Sequence, residues 1–174
     1  MNLKYTDQQR DMLAVFEKHV QAELDGDIET TMATMSSEPH LINVPNDMGG
    51  VGYEGVRSFY MNHLVGKFFP PDIQMERISL TIGSNQIVDE LIVSFSHTHE
   101  IDWMLPKIAP TNKRVEVAFA VIVGFDDGKI THEHIYWDQA TVLVQLGILD
   151  PSNLPVIGAD GAKRIRQAPR RGKP

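Results

Sequence analysis

The first quarter of the chain shows hydrophobic residues at helical spacing. Thr6, followed three residues later by Gln9, matches the capping box that begins helices. Gly26 is typical of a helix end. Between them, apolar residues recur at intervals of four, which predicts a helix with one buried stripe. The stripe consists of Met12, Phe16, Val20 and Leu24.

Shorter elements follow this helix. Asp27 is a preferred N-cap residue and predicts a second helix, which Pro39 would interrupt. The apolar run 40–44 predicts a short strand, and the glycine-rich stretch 45–55 predicts a loop. A third helix is expected over about 56–64.

The second half of the chain has the alternating and β-branched pattern of long strands. Two turn sequences, 83–85 and 126–128, separate pairs of these strands as hairpin turns do. Helices followed by an antiparallel meander predict an α+β fold with the N-terminal helices packed on a curved sheet. The predicted strands cover 73–83, 86–101, 114–125 and 129–138.

The strand at 114–125 is apolar on both faces. Helices on one side of a sheet leave its other side exposed, so an apolar outer face indicates a second covering. We therefore expect a homodimer that packs sheet against sheet.

Composition excludes several classes of protein. The chain has 174 residues with 42% hydrophobic residues, which suits one globular domain, and it has no cysteine, so a disulfide, a thiolate nucleophile or a cysteine-ligated metal is impossible. It has no apolar run of membrane-spanning length and no signal-peptide pattern, so no membrane association and a cytoplasmic location are expected.

The charge of the chain is unevenly distributed. The net charge is −7, yet residues 151–174 carry six basic residues and one acid, which leaves about −12 for residues 1–150. An acidic main body argues against nucleic-acid binding. We expect a C-terminal extension with a basic tail that is either solvated or docked on an acidic body.

Asp138 is the first candidate for chemistry. It ends an apolar strand beside Trp137 and precedes an apolar stretch, and burial there would favour the protonated form that suits a general acid or base. The competing interpretation is that Asp138 caps a short helix over 139–146. The two roles are compatible.

Histidines occur in two pairs with strand spacing, His97 with His99 and His132 with His134. Each pair would face one side of the sheet, but a full strand would separate the pairs by about 10 Å. We therefore expect no metal site from the four histidines, and no cofactor. His99 is predicted as a proton carrier opposite Asp138.

The remaining predicted site residues line a pocket. Trp103 lies in a stiff apolar loop and would either close a cavity or plug the edge of the core. The acidic residues Glu100, Asp102 and Glu133 are expected to be solvated at strand edges. The predicted substrate-binding residues are Tyr136, His134, Trp103, His97, His40 and Tyr60.

Two segments resemble a known family. DGKITHEHIYWDQATVLVQLGIL (127–149) resembles the C-terminal signature of the SnoaL-like proteins of the nuclear transport factor 2 superfamily. PTNKRVEV (110–117) resembles the entry to the family's penultimate strand, with Asn112 in place of the usual glycine. The resemblance covers roughly residues 8–150 and implies a cone-shaped, cystatin-like roll.

The resemblance also carries implications for function. In SnoaL-type cyclases an aspartate of the last strand is the acid–base group of a ring closure, and Asp138 occupies the matching place. The cavity would then receive His134, Tyr136 and Asp138, whereas Ile135 and Trp137 would face the dimer. HLINVP, DWMLP and IYWDQ are also similar to chains called dienelactone-hydrolase-like, but that activity needs a cysteine that is absent here.

Two functions remain open at this stage. One is a cofactor-free cyclase, isomerase or dehydratase that moves a proton next to the carbonyl of a small apolar substrate, with His99 or Tyr136 stabilising the enolate. The alternative is a non-catalytic ligand-binding or dimerisation module with the same fold.

Overall fold

Two helices open the computed structural model, which describes residues 5–66, 68 and 70–168. Helix α1 spans Asp7–Asp25 and helix α2 spans Ile28–Thr34. The predicted capping box at the start of α1 is confirmed, because the hydroxyl of Thr6 accepts from the Gln9 amide and the Gln9 side chain accepts from the Thr6 amide. The predicted helix end and the cap of α2 are confirmed as well.

The next segment contains a strand longer than the sequence pattern indicated. Strand β1 spans Met35–Asn43 and strand β2 spans Met48–Val51. Helix α3 spans Gly52–Phe59 and runs into a π-helical turn at Tyr60–Leu64. Pro39 lies inside β1 rather than before it, in the stretch where the ladder changes register.

Three of the four long strands lie within one residue of their predicted ends, but the strand predicted over 86–101 ends at Ser96, so His97 and His99 follow it instead of lying on it. The four strands are followed by helix α4 at Gln139–Gln145 and helix α5 at Asp160–Gln167. The strands are β3 Gln74–Ile82, β4 Gln86–Ser96, β5 Arg114–Asp126 and β6 Lys129–Trp137.

The six strands of the described residues form one sheet in the order β2-β1-β6-β5-β4-β3. The pairs from β3 to β6 are antiparallel, as expected, but β1 lies parallel to β6. The sheet is therefore mixed. Between β1 and β6 the chain passes through β2, α3 and β3–β5 before it returns to lie beside β1. Helices packed on a curved sheet give the α+β fold that the sequence predicted.

The buried face of α1 differs from the predicted stripe. Met12 and Phe16 are buried as expected, but Leu24 is 44% exposed and His19 is fully buried. A spacing of four drifts around a helix that has 3.6 residues per turn, so the stripe passes to His19 and Ala22 instead.

The C-terminal extension packs against the sheet. Arg166 of α5 forms ion pairs with Glu76 of β3 and Glu116 of β5, at 2.7 and 3.0 Å. This part of the basic tail is docked on the chain's own acidic body, while Arg170, Arg171 and Lys173 lie outside the described residues. No helix in the described ranges has the length and apolar character needed to span a bilayer.

Candidate functional site

A cavity of about 370 Å³ opens between the helices and the inner face of the sheet. Its walls are mainly apolar, which is the usual character of a small-molecule site. The polar lining residues are Glu23, Asn43, Arg77, Asp89 and Glu133. The apolar lining residues are Phe16, Val20, Leu41, Phe59, Leu64, Phe68, Met75, Leu91, Val93, Trp103, Phe119, Val121 and Ile135.

Glu133 is a buried carboxylate in the wall of this cavity. Strand β6 directs it to the inner face, where only 3% of the residue is exposed. One carboxylate oxygen lies 3.4 Å from Nε2 of His19, and the other accepts a hydrogen bond of 3.1 Å from the hydroxyl of Tyr60. A buried carboxylate needs such partners, because an unpaired charge would be strongly unfavourable.

His19 holds two carboxylates with one ring nitrogen. Its Nε2 lies 3.3 Å from Glu23, four residues later on α1, and also faces Glu133. Its Nδ1 lies 2.6 Å from the hydroxyl of Thr34, which itself donates to the carbonyl of Thr31. Since that hydroxyl proton is committed, Nδ1 must donate, and both ring nitrogens carry protons.

The pKa values of this buried charge cluster, defined as His19, Glu23, Glu133 and Tyr60, are pushed apart. Burial by itself lowers the pKa of His19, but Glu133 and Glu23 outweigh burial and raise that pKa to about 10. Burial raises the pKa of Glu23, and the charge of Glu133 adds to the rise. Burial also favours the neutral form of Glu133, yet His19 and Tyr60 hold its pKa below the usual value.

Tyr60 stays protonated in this setting. Burial, Glu133 and Glu23 raise the pKa of its phenol well above the ordinary value. At neutral pH the cluster therefore contains an imidazolium, an ionised Glu133, a neutral phenol and a Glu23 whose proton is held more tightly than usual.

The same atoms are the candidate metal ligands of the described residues. One ligand atom from each of His19, Glu23 and Glu133 lies within 4.8 Å of the other two. Both ring nitrogens of His19 are already paired, however, Nε2 with the two carboxylates and Nδ1 with Thr34. Protons on His19 and Tyr60 bridge the carboxylates of this cluster. The arrangement therefore favours an acid–base site over a metal centre.

A second ion pair lies elsewhere on the cavity wall. The guanidinium of Arg77 donates to both carboxylate oxygens of Asp89, at 2.8 to 3.1 Å. Among the described lining residues, Arg77 is the one that is either arginine or lysine. Its side chain is 45% exposed. It can therefore face both solvent and a bound molecule.

Asp138 lies outside the cavity, contrary to the expectation that it is buried. It is exposed at the end of β6, and it caps α4 by accepting hydrogen bonds from the amide and the hydroxyl of Thr141, at 3.1 and 2.8 Å. The capping interpretation therefore describes its structure. Its neighbour Trp137 is buried against Trp103 and Phe119, but Asp138 itself is exposed.

The predicted orientation of β6 is wrong by one residue. Glu133 and Ile135 line the cavity, whereas His134 and Tyr136 lie on the outer face, where Tyr136 is 40% exposed. The predicted alternation of side chains along β6 is correct, but the face predicted to line the cavity is the outer face. A strand has a period of two, so such an error moves every side chain to the other face.

His97 and His99 follow β4 and are absent from the cavity lining. His97 is buried, its Nδ1 lies near the amide and hydroxyl of Thr111, and burial together with His99 lowers its pKa. His99 is therefore not opposite Asp138 across the cavity.

The other predicted pocket residues have different positions. Trp103 lines the cavity and donates from its indole nitrogen to the carbonyl of Phe68 at 2.8 Å. Tyr60 touches Glu133 from within the protein rather than from the cavity. His40 lies on the outer face beside His134.

Of the charge cluster, only Tyr60 was predicted as a site residue; Glu133 was expected to be solvated, and this is wrong because it is buried. His19 and Glu23 could have been found, since they continue the face of Met12 and Phe16 when the true helical period is used. Glu133 could not, because a glutamate in a strand is buried only when a partner from another element neutralises it.

Comparison with known proteins supports the fold. No protein-family model and no curated protein matches the chain. A protein described as a SnoaL-like polyketide cyclase from Jannaschia sp. superimposes with a TM-score of 0.68 at 12% identity, over 86% of this chain and 100% of that one. The structure thus bears out the resemblance to SnoaL-like proteins at the level of fold.

Two further solved structures have the same fold. SalBIII, an epoxide hydrolase/cyclase-like enzyme of pyran ring formation in salinomycin, has a TM-score of 0.55 at 15% identity, over 76% of this chain and 93% of that one. A protein described as a ketosteroid isomerase from Kribbella flavida has a TM-score of 0.51 at 12% identity, over 74% and 78%. At these identities the similarity establishes the fold alone.

Proposed function

We propose that this chain is a SnoaL-type enzyme that transfers a proton next to the carbonyl group of a small apolar molecule. The observation that carries the proposal is the pair Glu23 and Glu133, joined by the His19 imidazolium, in the wall of a mainly apolar cavity. Cyclisation, isomerisation and dehydration all begin with such a transfer, and the three solved structures compared above include cyclase-type and isomerase-type proteins.

We assign the proton transfer to Glu23. Its pKa is raised, which brings a carboxyl group towards the range where it can both accept and release a proton near neutrality. Glu133 is the fixed charge that helps to raise it, and His19 and Tyr60 keep Glu133 ionised. Two carboxyl groups with pKa values pushed apart are a recurrent arrangement in acid–base enzymes.

The electron balance of the step is simple. The proton leaves the carbon next to the carbonyl for a carboxylate oxygen of Glu23, and the electrons of the C–H bond form an enolate. Arg77, whose Nε and one terminal nitrogen already donate to Asp89, is the guanidinium in the cavity wall that we assign to stabilise the enolate oxygen. The roles predicted for Asp138 and His99 pass to Glu23 and Arg77 in this proposal.

Proton exchange tests the proposal without knowledge of the natural substrate. The protein is incubated in D₂O with 2-tetralone, a bicyclic ketone, and deuterium incorporation next to the carbonyl is followed by NMR. We expect enzyme-dependent exchange that Glu23→Gln lowers by roughly 10²–10⁴-fold, with ligand affinity retained. Asp138→Asn is the matched control and should exchange at the wild-type rate.

The outcomes separate the two functions. Exchange by Glu23→Gln at the wild-type rate contradicts the assignment of Glu23. Binding of the ketone without exchange by the wild type supports the non-catalytic binding module. In the Glu133→Gln variant the pH–rate profile should move to lower pH, because the charge that raises the pKa of Glu23 is gone.

We also propose a homodimer through the outer face of the sheet. The side chains of Ala118, Ala120 and Ile122 on β5 lie on this face and are half-buried, and Tyr136 beside Ala120 is exposed. Sedimentation velocity should show twice the 19.5 kDa chain mass. Ala120→Glu should give a monomer, whereas Thr98→Glu in an exposed loop should leave the dimer intact.

A further inference from the structure

Three histidines meet on the outer face of the sheet, away from the cavity. The parallel pairing of β1 with β6 places His40 directly opposite His132, and His134 lies two residues further along β6. The ring centroids are 5.2 Å apart for His40 and His132, 5.1 Å for His40 and His134, and 4.7 Å for His132 and His134. We call these three residues the histidine cluster.

The buried Glu133, on the opposite face of β6, is a carboxylate whose charge acts on His132. Within the described part of the chain, no hydrogen bond or ion pair joins any of the three rings to a carboxylate. Imidazole nitrogens are ligands that suit copper, nickel and zinc ions.

The distance between two of the nitrogens fits a shared ion. Nε2 of His40 and Nε2 of His134 are 3.0 Å apart. With metal–nitrogen bonds of about 2.0–2.1 Å, this separation corresponds to an N–metal–N angle of roughly 90–100°. Such an angle suits the adjacent positions of a square-planar or tetragonal site, which is the geometry of Cu(II) and Ni(II) with nitrogen ligands.

We infer that the histidine cluster is a transition-metal site, with His40 and His134 as ligands whose Nε2 atoms now share a hydrogen bond and turn slightly towards the ion, and with His132 as a third ligand. The imidazole that now holds its proton on Nε2 takes the Nδ1–H tautomer when the ion binds, so both Nε2 lone pairs reach the metal. Both ligands stand on neighbouring strands, which hold them more rigidly than loops do.

His132 must rotate its side chain to join the site. Its ring now lies over Gly124, where any side chain would meet it, since a Cβ atom would lie 2.0 Å from the ring. The ring contacts the hydroxyl of Thr131 at 3.2 Å and stacks on the ring of His40 with an interplanar angle of 9°. Exchange of the Thr131 contact for a metal bond is favourable, because a neutral hydrogen bond contributes only about 1 kcal/mol.

The cluster is independent of the proposed enzyme function. All three side chains face away from the cavity that Glu133 lines, and all three come from a single chain. Failure of the exchange assay therefore leaves this inference unaffected, and the reverse also holds.

Copper titration of the untagged protein tests the inference. Cu(II) is the probe because it binds nitrogen ligands most tightly among the divalent first-row metals. We expect stoichiometric binding, with nitrogen hyperfine splitting in the EPR spectrum from at least two imidazoles. Loss of an outer-shell partner weakens metal binding by roughly 10–100-fold. His40→Ala and His134→Ala each remove a direct ligand and should weaken copper binding by at least as much, whereas His132→Ala should weaken it less.

Two controls locate the bound ion. His99→Ala removes a histidine outside the cluster, and Glu23→Gln removes a ligand of the candidate site in the cavity. Both should bind copper as the wild type does, and circular dichroism checks that each variant is folded. Equal binding by wild type and folded His134→Ala, or loss of binding in Glu23→Gln, overturns the inference.

Discussion

The buried charge of His19 makes the stability of this protein depend on pH in the alkaline range. Its pKa is about 10 in the folded chain and about 6.5 in an unfolded one. Between these values the folded state binds the extra proton, so the free energy of unfolding falls as the pH rises. Below pH 6.5 the stabilisation is fully present, and above pH 10 it is lost.

The magnitude follows from the size of the shift. One proton contributes at most about 1.4 kcal/mol per pH unit, so the free energy of unfolding should fall by up to about 3 kcal/mol between pH 7 and pH 9. Urea unfolding at pH 7, 8 and 9 measures it, with the fluorescence of the buried Trp103 and Trp137 as the signal. The raised pKa of Glu23 acts in the same direction at lower pH.

The variant His19→Gln isolates the effect. It leaves two carboxyl groups without their cation, which should cost about 3–5 kcal/mol at pH 7, and it should remove most of the alkaline slope. His63→Gln is the matched control, because His63 also contacts a carboxylate, Asp102 at 3.0 Å, but both side chains are partly exposed. Such a pair contributes about 0–1 kcal/mol. A flat profile for the wild type, or an unchanged slope in His19→Gln, refutes the reasoning.

Two further predictions concern the backbone. Asp138→Ala should lower the free energy of unfolding by about 1 kcal/mol through loss of the α4 cap, whereas Asp138→Asn should stay within a few tenths of the wild type; equal stability of all three proteins in urea would contradict the capping role. Gly49→Ala should destabilise by at least about 2 kcal/mol, because its φ is 154° and a Cβ would lie 1.9 Å from the carbonyl oxygen of Leu41. Gly158→Ala is the control, because its Cβ would meet only ordinary side-chain contacts. Similar melting temperatures for the two variants would show that the clash at residue 49 is relieved at little cost.

Local elements could be predicted because their signals are local. The cap of α1 depends on residues three apart, and the long strands depend on alternation within about ten residues. The resemblance of 127–149 to the SnoaL-like signature also indicated the fold correctly. The helix α5 was not predicted, because it has little apolar surface and is held by the ion pairs of Arg166 with Glu76 and Glu116.

The position of the site depended on contacts between distant parts of the chain. Alternation showed that Glu133 and His134 lie on opposite faces of β6, but either face could have been the inner one. A histidine pair beside a tyrosine looked more suited to a pocket than a lone glutamate. The decisive partner of that glutamate, His19, is more than a hundred residues away on α1.

The neighbour of β6 was equally invisible in the sequence. A meander places successive strands side by side, and that rule describes β3 to β6. The parallel contact of β1 with β6 joins segments that lie far apart in the sequence, and it brings His40 to His132 and His134. Residue types and their spacing along the chain thus determined the helices, the strands and the fold class. Tertiary packing alone decided which face of β6 is buried and which charges neutralise each other, because both depend on contacts that no local pattern records.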